Sequence, residues 1–495
     1  MDIRQKLHPI MFAGTGSDVG KSIIAAAFCR IFLQDGYAPA PFKAQNMALN
    51  SYATPDGLEI GRAQAMQAEA ARTACHTDMN PLLLKPCTDQ MAQVVLNGKV
   101  WGNKDAYDYF NPVGRDLLRQ EVHRAFDRLS ARYNPIVMEG AGSISEINLK
   151  ETDLVNMPMA LYAGADVVLV ADIDRGGVFA SVYGSVMLLN EEERKHLKGI
   201  IINKFRGDLR LFETGVEMLE ALCHVPVLGV IPYLPDICID QEDSLVLSGK
   251  NRSAVAGKVN VAVVLLRHLA NFTDFNVLEQ DGRVQLYYAR YPEELSDADV
   301  VILPGTKSTL SDLLELRRTG MAQAIVSAAR NGKTVLGICG GYQMLGQEIT
   351  DPDGVESDIR CLPGLGLLPV STVLRGEKVT RQQQFMFLGN DTPCAGYEIH
   401  MGDTRFLSEN LSPMNRCREG RTEGCLASER CMGTYMHGIL DNEGFRDYLL
   451  APYLLDAERA RFDYAAFKEA QYDKLADHVR RHVDMDKIYG FLIER

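Results

Sequence analysis

Thr334-Val335-Leu336-Gly337-Ile338-Cys339-Gly340-Gly341-Tyr342-Gln343-Met344-Leu345-Gly346 decides how the second half of the chain is read. Thr334 to Ile338 is short, apolar and rich in β-branched residues, the pattern of a buried strand. Two glycines follow, and Tyr342 to Leu345 opens a helical run. Cys339 therefore falls on a sharp strand-to-helix turn. Such an elbow lifts a nucleophile clear of the sheet, the glycines leave its approach open, and the helix N-terminus favours negative charge on sulfur. A buried structural cysteine is the alternative, and two other stretches weigh against it. Gly433-Thr434-Tyr435-Met436-His437-Gly438 sets His437 between a strand-like run and a turn, a suitable place for a general base. Val300 to Leu303 is another buried strand, ending in Pro304-Gly305-Thr306-Lys307. The amides of Gly305 and Gly340 can both face a developing oxyanion.

These residues resemble the class I glutamine amidotransferases: a nucleophile in G-x-C-G-G, a His about a hundred residues on, and a Pro-Gly oxyanion loop. The resemblance implies hydrolysis of L-glutamine through a glutamyl thioester, with Cys339 and His437 catalytic. In that pattern a Glu stands two residues after the His, where this chain has Ile439. An orienting carboxylate has to come from elsewhere, and Glu398 and Asp441 are the candidates.

Working outward, 495 residues are enough for two or three domains, each with its own core. A hydrophobic content of 46% with 24% charged residues is the balance of a soluble globular protein. A net charge of −13 disfavours nucleic-acid binding but leaves room for a local basic pocket and an anionic small molecule. The eleven cysteines form no C-x-x-C pair, so neither a disulfide framework nor a cysteine metal site is expected, and a reducing cytoplasm is. The N-terminus lacks the apolar core of a signal peptide, and no apolar run reaches the roughly eighteen residues of a membrane span.

The first half opens with the strand Pro9 to Ala13. Next come Gly14-Thr15-Gly16-Ser17-Asp18-Val19-Gly20-Lys21-Ser22 and a helical run from Ile23 to Leu33. Strand, glycine-rich loop, Lys-Ser and helix together form a phosphate-binding loop. Its amides cradle phosphates, Lys21 neutralises them, and the Ser22 hydroxyl can bind Mg²⁺. A glycine-rich turn without a ligand is the alternative. The spelling G-T-x-x-x-V-G-K-S resembles dethiobiotin synthetase and its relatives, which activate carboxylates with ATP. That resemblance implies Lys43 facing the phosphates, Glu139 as a Mg²⁺ ligand at the end of the strand 136–139, and Asn203 reading the adenine edge. For Asn203 a plain turn residue is the alternative. Further strands are expected at 166–171, 199–202 and 229–233.

Other stretches exceed what nucleotide binding needs: the amide-rich 43–51, the segment 84–103 with the only Trp, and the Asp-Arg-Gly loops at 172–177 and 204–208. They are expected to line a wide acceptor pocket, with Lys85, Arg175 and Arg206 near its carboxylates. Solvated loops held by ion pairs are the alternative.

The expected fold is α/β, with two doubly wound domains. Residues 1–246 form an ATP-dependent P-loop domain, 247–258 a linker, 259–444 the amidotransferase domain and 445–495 a helical C-terminal extension. A strand at 396–402 should lie near the thiol site, where His400 could contact glutamine or serve structurally.

The two halves make chemical sense together. A carboxylate is a poor electrophile, phosphorylation gives it a leaving group, and a glutaminase supplies NH₃ that neutral water would hold as ammonium. With KAQNMALNS, MEGAGSISEINL, DIDRGGVFAS, NKFRGD, LPGTKST and GYEIHMG in this order, nearly the whole chain resembles the cobyric acid synthase family. The resemblance implies ATP- and glutamine-dependent amidation of the b, d, e and g carboxylates of adenosylcobyrinic acid a,c-diamide. A corrinoid polycarboxylate is then the partner, without nucleic acid or membrane, and a homo-oligomer is compatible with the tail. Two alternatives stay open: an a,c-diamide synthase, and a nucleotide-switched partitioning-type ATPase with a vestigial amidotransferase domain.

Overall fold

The computed structural model describes residues 5–86, 91–105, 112–240, 253–408, 411–454 and 462–493. Its backbone forms two compact units. One comprises Met1–Ala48, Ile60–Asp240 and Ala466–Arg495, the other Leu49–Glu59 and Gln241–Ala465. Two excursions thus depart from the expected linear order. Residues 49–59 join the second unit, and the helical end of the chain joins the first. The expected linker falls partly on residues 247–252, outside the described residues.

The first unit is built on six parallel strands. Their spatial order is Val227–Pro232, Leu197–Phe205, Asp166–Asp172, Ile10–Gly14, Ile136–Glu139 and Ala40–Phe42. The central strands are buried along their whole length, which explains why they read as continuous apolar runs. Ile10–Gly14 lies at the middle of this sheet, so the loop after it opens at the C-terminal edge where such sheets bind ligands. Helix Lys21–Gln34 packs Phe28 on Phe12 with ring centroids 4.7 Å apart. The last helices, Tyr464–His482 and Met485–Leu492, add Tyr472, Leu475, Val479, Ile488 and Leu492 to that same core. Arg30, only 1% exposed, explains part of this docking: its guanidinium lies 3.1 Å from Glu469 and 3.7 Å from Asp473 on the final long helix. A buried charge without those carboxylates would be costly.

The segment 84–103, expected as loops, is instead mostly a sheet. Strands Gln45–Met47, Leu82–Pro86, Met91–Leu96 and Lys99–Asp105 lie side by side, the last three as an antiparallel meander. Its tight turn is Asn97-Gly98, both at positive φ (48° and 77°), the hairpin turn that follows the strand twist.

The second unit has its own sheet, ordered Val284–Ala289, Val259–Val264, Val300–Leu303, Thr334–Ile338, Cys431–Thr434 and Cys425–Ser428; only the last pair is antiparallel. A separate, mostly antiparallel sheet is built around a long hairpin, Val370–Phe387 and Thr392–Phe406, with Glu348–Thr350 paired to it in parallel. The strand expected at 396–402 belongs to this hairpin. Among the described residues no helix is long and apolar enough to cross a membrane.

Candidate active site

Cys339 follows strand Thr334–Ile338 directly and has φ 53° and ψ −112°, a conformation L-residues avoid. Strain of this kind persists only where the surroundings enforce it. Here they do: a Cβ on Gly341 would lie 1.8 Å from the Leu303 carbonyl oxygen, so the helix Gly340–Leu345 is clamped onto the neighbouring strand. The thiol Sγ points toward the Ile399 carbonyl at 3.5 Å. Gly305 comes alongside: a side chain there would meet Cys339 Cβ at 3.6 Å and His437 Cε1 at 3.2 Å. Gly340 lies against the Thr306 amide, 3.2 Å from where its Cβ would be. The two expected oxyanion glycines thus flank the cysteine.

His437 is buried and carries the next link. Its Nδ1 lies 2.7 Å from Asp274 Oδ2, and the Gly438 amide donates to Asp274 Oδ1 at 3.0 Å. Burial alone would push this imidazole down, but the Asp274 carboxylate and Cys339 outweigh it and push the ring up to about 10. The orienting carboxylate is therefore neither Glu398 nor Asp441. Glu398 is committed to Arg421, Arg381 and His400, and lies at about 2: burial raises it, but those cationic and hydrogen-bonding neighbours prevail. Asp441 lies in the short helix Ile439–Asp441 just beyond His437. Asp274 comes from the turn after the unit's first strand, a place that sequence spacing around His437 does not signal.

Gln343 extends the pocket wall. It accepts from Thr309 Oγ1 at 3.1 Å and donates to the Tyr435 hydroxyl at 3.2 Å. His400 stacks on Tyr435 at 3.7 Å and its Nδ1 lies 2.9 Å from the Gly402 carbonyl. Both ring nitrogens of His400 therefore serve the wall of the site rather than reach the thiol.

In the first unit, the loop Gly14, Thr15, Gly16, Ser17, Asp18, Val19, Gly20 leads into Lys21 and Ser22 at the start of the helix. Lys21 Nζ donates to the carbonyls of Gly16 and Gly142, at 2.8 and 2.9 Å. Burial, opposed by Glu139 and aided by Lys43, lowers its ammonium to about 8. Glu139 is the hub: Ser22 Oγ and Lys43 Nζ both donate to Oε1 at 2.8 Å, and Gln67 Nε2 donates to Oε2 at 2.7 Å. Burial raises this carboxyl, but Lys43 and the hydrogen bonds win and hold it ionised, below the usual range. Asn203 donates to the Val19 carbonyl at 2.8 Å, behind the loop. Arg175 pairs with Asp18 at 3.1 Å, and Arg206 with Asp174 at 2.8 Å while covering the Tyr233 ring at 3.7 Å. Arg175 thus lies against the phosphate loop, and Arg206 against the neighbouring Asp174. Lys85, buried in strand Leu82–Pro86, belongs to the small sheet, so the three residues do not share one element.

Residues 10–246 match the CobQ/CobB/MinD/ParA nucleotide binding domain, and residues 260–445 the CobB/CobQ-like glutamine amidotransferase domain. Along 99% of its length the chain is 68% identical to the whole of a "Cobyric acid synthase" from Bacteroides fragilis. One from Phocaeicola vulgatus is 66% identical over 99% of both chains, and one from Syntrophobacter fumaroxidans 47% identical over 98% of both. The chain belongs to the cobyric acid synthase family. It is a ligase that combines a nucleotide-binding domain with a glutamine amidotransferase domain.

Within this cobyric acid synthase fold, sequence reasoning did not find Asp274 or Gln67. Gln67 sits on helix Arg62–Ala70 amid alanines and is fully buried, a polar side chain that needs a partner. A buried amide cannot be told from a solvated one by sequence alone.

Proposed function

We propose that this enzyme amidates the b, d, e and g carboxylates of adenosylcobyrinic acid a,c-diamide, giving adenosylcobyric acid on the route to cobalamin. Each round uses one ATP and one glutamine. Cys339 Sγ attacks the glutamine side-chain carbonyl, and the oxyanion faces the amides of Gly305 and Gly340. His437, charged at neutral pH beside Asp274, gives its proton to the departing nitrogen. Ammonia leaves, and water hydrolyses the glutamyl thioester to glutamate.

At the other centre an acceptor carboxylate oxygen attacks the γ-phosphorus of ATP and ADP departs. Ammonia then displaces phosphate from the acyl phosphate, forming the amide. The loop from Gly14 to Ser22 holds the phosphates, with Lys21 and Lys43 balancing their charge. Asn203 reads the adenine. Ser22 Oγ and Glu139 Oε1, 2.8 Å apart, offer the hard oxygen donors that suit Mg²⁺ and would hold it. Such an ion supplies charge stabilisation on the transferring phosphoryl group. Lys85, Arg175 and Arg206 are the candidates for the acceptor's carboxylates; Arg175 and Arg206 would exchange Asp18 and Asp174 for them. We assign the enzyme to the cytoplasm.

The observation that carries this reading is the thiol–imidazole–carboxylate line of Cys339, His437 and Asp274 in the same chain as a lysine-lined phosphate loop. A vestigial amidotransferase domain is disfavoured, because Asp274 supplies the carboxylate missing at Ile439. The test is the product mass series from the diamide acceptor with ATP and glutamine. Successive losses of about one mass unit, the exchange of OH for NH₂, are expected up to four amides. Consumption of cobyrinic acid alone would move the assignment to the a,c-diamide synthase.

A further inference from the structure

Leu49–Glu59 lies deep within the first half of the sequence but belongs to the second unit. It enters there as a strap, and its contacts converge on the Asp274–His437 pair from both sides.

On the Asp274 side, two asparagines exchange hydrogen bonds. The Asn50 side-chain oxygen accepts from the Phe272 amide at 3.2 Å, and the Asn271 side-chain oxygen accepts from the Ser51 amide at 3.0 Å. Asn50 and Ser51 are each 1% exposed, so these bonds are shielded from water. Asn271 has φ 54° and caps the short helix Phe272–Phe275 that carries Asp274; the Asp274 amide returns to the Asn271 carbonyl at 3.0 Å. On the His437 side, Tyr52 packs edge-on against Tyr397 at 4.5 Å. Tyr397 stacks on the His437 ring at 5.3 Å and exchanges backbone bonds with it of 2.8 and 3.0 Å. The strap is tied down at its far end by Gln382, which donates to the Ala53 carbonyl at 2.9 Å, and by the buried pair of Glu59 with Lys378.

We propose that Asn50 is a positioning residue for glutamine hydrolysis: it locks the Asn271–Asp274 turn so that Asp274 stays aligned on His437. This rests on the assignment of Cys339, His437 and Asp274 as the glutaminase site. Asn50 touches none of the reacting atoms; it acts through Asp274. The half of the sequence that binds nucleotide therefore contributes a part that the amidotransferase half lacks.

The test uses the full-length enzyme with Asn50→Ala, Asn50→Asp and Cys339→Ala, assayed for ammonia release from glutamine and for amidation supported by added ammonium. Asn50→Ala should lower kcat for glutamine hydrolysis about tenfold, the loss of one shielded bond of about 1.4 kcal/mol. The basic limb of its pH profile should move to lower pH, because a loosened Asp274 holds the His437 proton less well. Asn50→Asp keeps an acceptor for the Phe272 amide and should recover most of the rate and the profile. Ammonium-supported amidation should fall less than glutamine hydrolysis in both. A wild-type rate and pH profile in Asn50→Ala, with Cys339→Ala inactive, would overturn the strap's role alone. So would a parallel fall in both activities, or a slower rate with an unmoved pH limb. Hydrolysis surviving in Cys339→Ala would overturn the site itself, and this proposal with it.

Discussion

Replacing Asp274 with Asn tests the glutaminase geometry most directly, because the substitution keeps the shape and removes only the charge. Asp274 and His437 are 4% and 2% exposed, so little water is at hand to take over the lost interaction. Moving an imidazole from 6.5 to about 10 corresponds to a preference for the charged ring on the order of 5 kcal/mol, shared between Asp274 and Cys339. Burial works against the charge, so without the carboxylate the ring becomes neutral near pH 7 and Cys339 loses the charged imidazole beside it. The Asn amide can also present its NH₂ to Nδ1 and fix the wrong tautomer. Glutamine hydrolysis should fall roughly 10²- to 10⁴-fold. Amidation driven by added ammonium should stay within about twofold of wild type, since that reaction does not use the glutaminase residues. Stability gives a second readout. A raised imidazole pKa stabilises the fold fully below pH 6.5 and ceases to do so as pH rises through about 10. The melting-temperature gap between Asp274→Asn and wild type should therefore be widest near pH 6 and close toward pH 10. Unimpaired hydrolysis in Asp274→Asn, with the basic limb of its pH profile still near 10, would refute the reasoning.

Three further substitutions probe the rest of the molecule. Cys339→Ala should abolish glutamine hydrolysis while sparing ammonium-supported amidation, measured by product mass. Lys21→Ala should reduce amidation on the order of 10³-fold even with added ammonium, because phosphoryl transfer loses its charge stabilisation, whereas glutamine hydrolysis should persist. Gly341→Ala puts a methyl group 1.8 Å from the Leu303 carbonyl oxygen. Displacing that backbone should cost about 3 kcal/mol, visible in the thermal melt of the second unit together with loss of glutaminase activity.

Local chemistry made much of this molecule legible. Buried parallel strands announce themselves as β-branched runs, and a phosphate loop or a nucleophile elbow is written in consecutive residues. The Asn97-Gly98 pair is a hairpin signal that the expectation of pocket loops over 84–103 passed over. Asp274 was hidden for a different reason. It meets His437 across 163 positions of sequence, and only the packing of the Asn271–Phe275 turn decides that meeting. Gln67 and Asn50 likewise look like ordinary polar residues until burial sets them against Glu139 and the Phe272 amide. The division into units could not be read from composition, because the strap at 49–59 has no change of character to mark it. The final helices show an amphipathic, charged pattern, which says that one face is covered but not by what.

The apolar core around Phe12, Phe28 and Phe32 is completed by Tyr472, Leu475, Val479 and Ile488. On the ribosome, the nucleotide-binding half emerges before the amidotransferase half but lacks these side chains until residues 472–488 have been synthesised. Its nascent form must wait, with part of its interior open, while the whole amidotransferase half is synthesised. The order of synthesis is thus opposite to the order in which the two halves can reach their finished state.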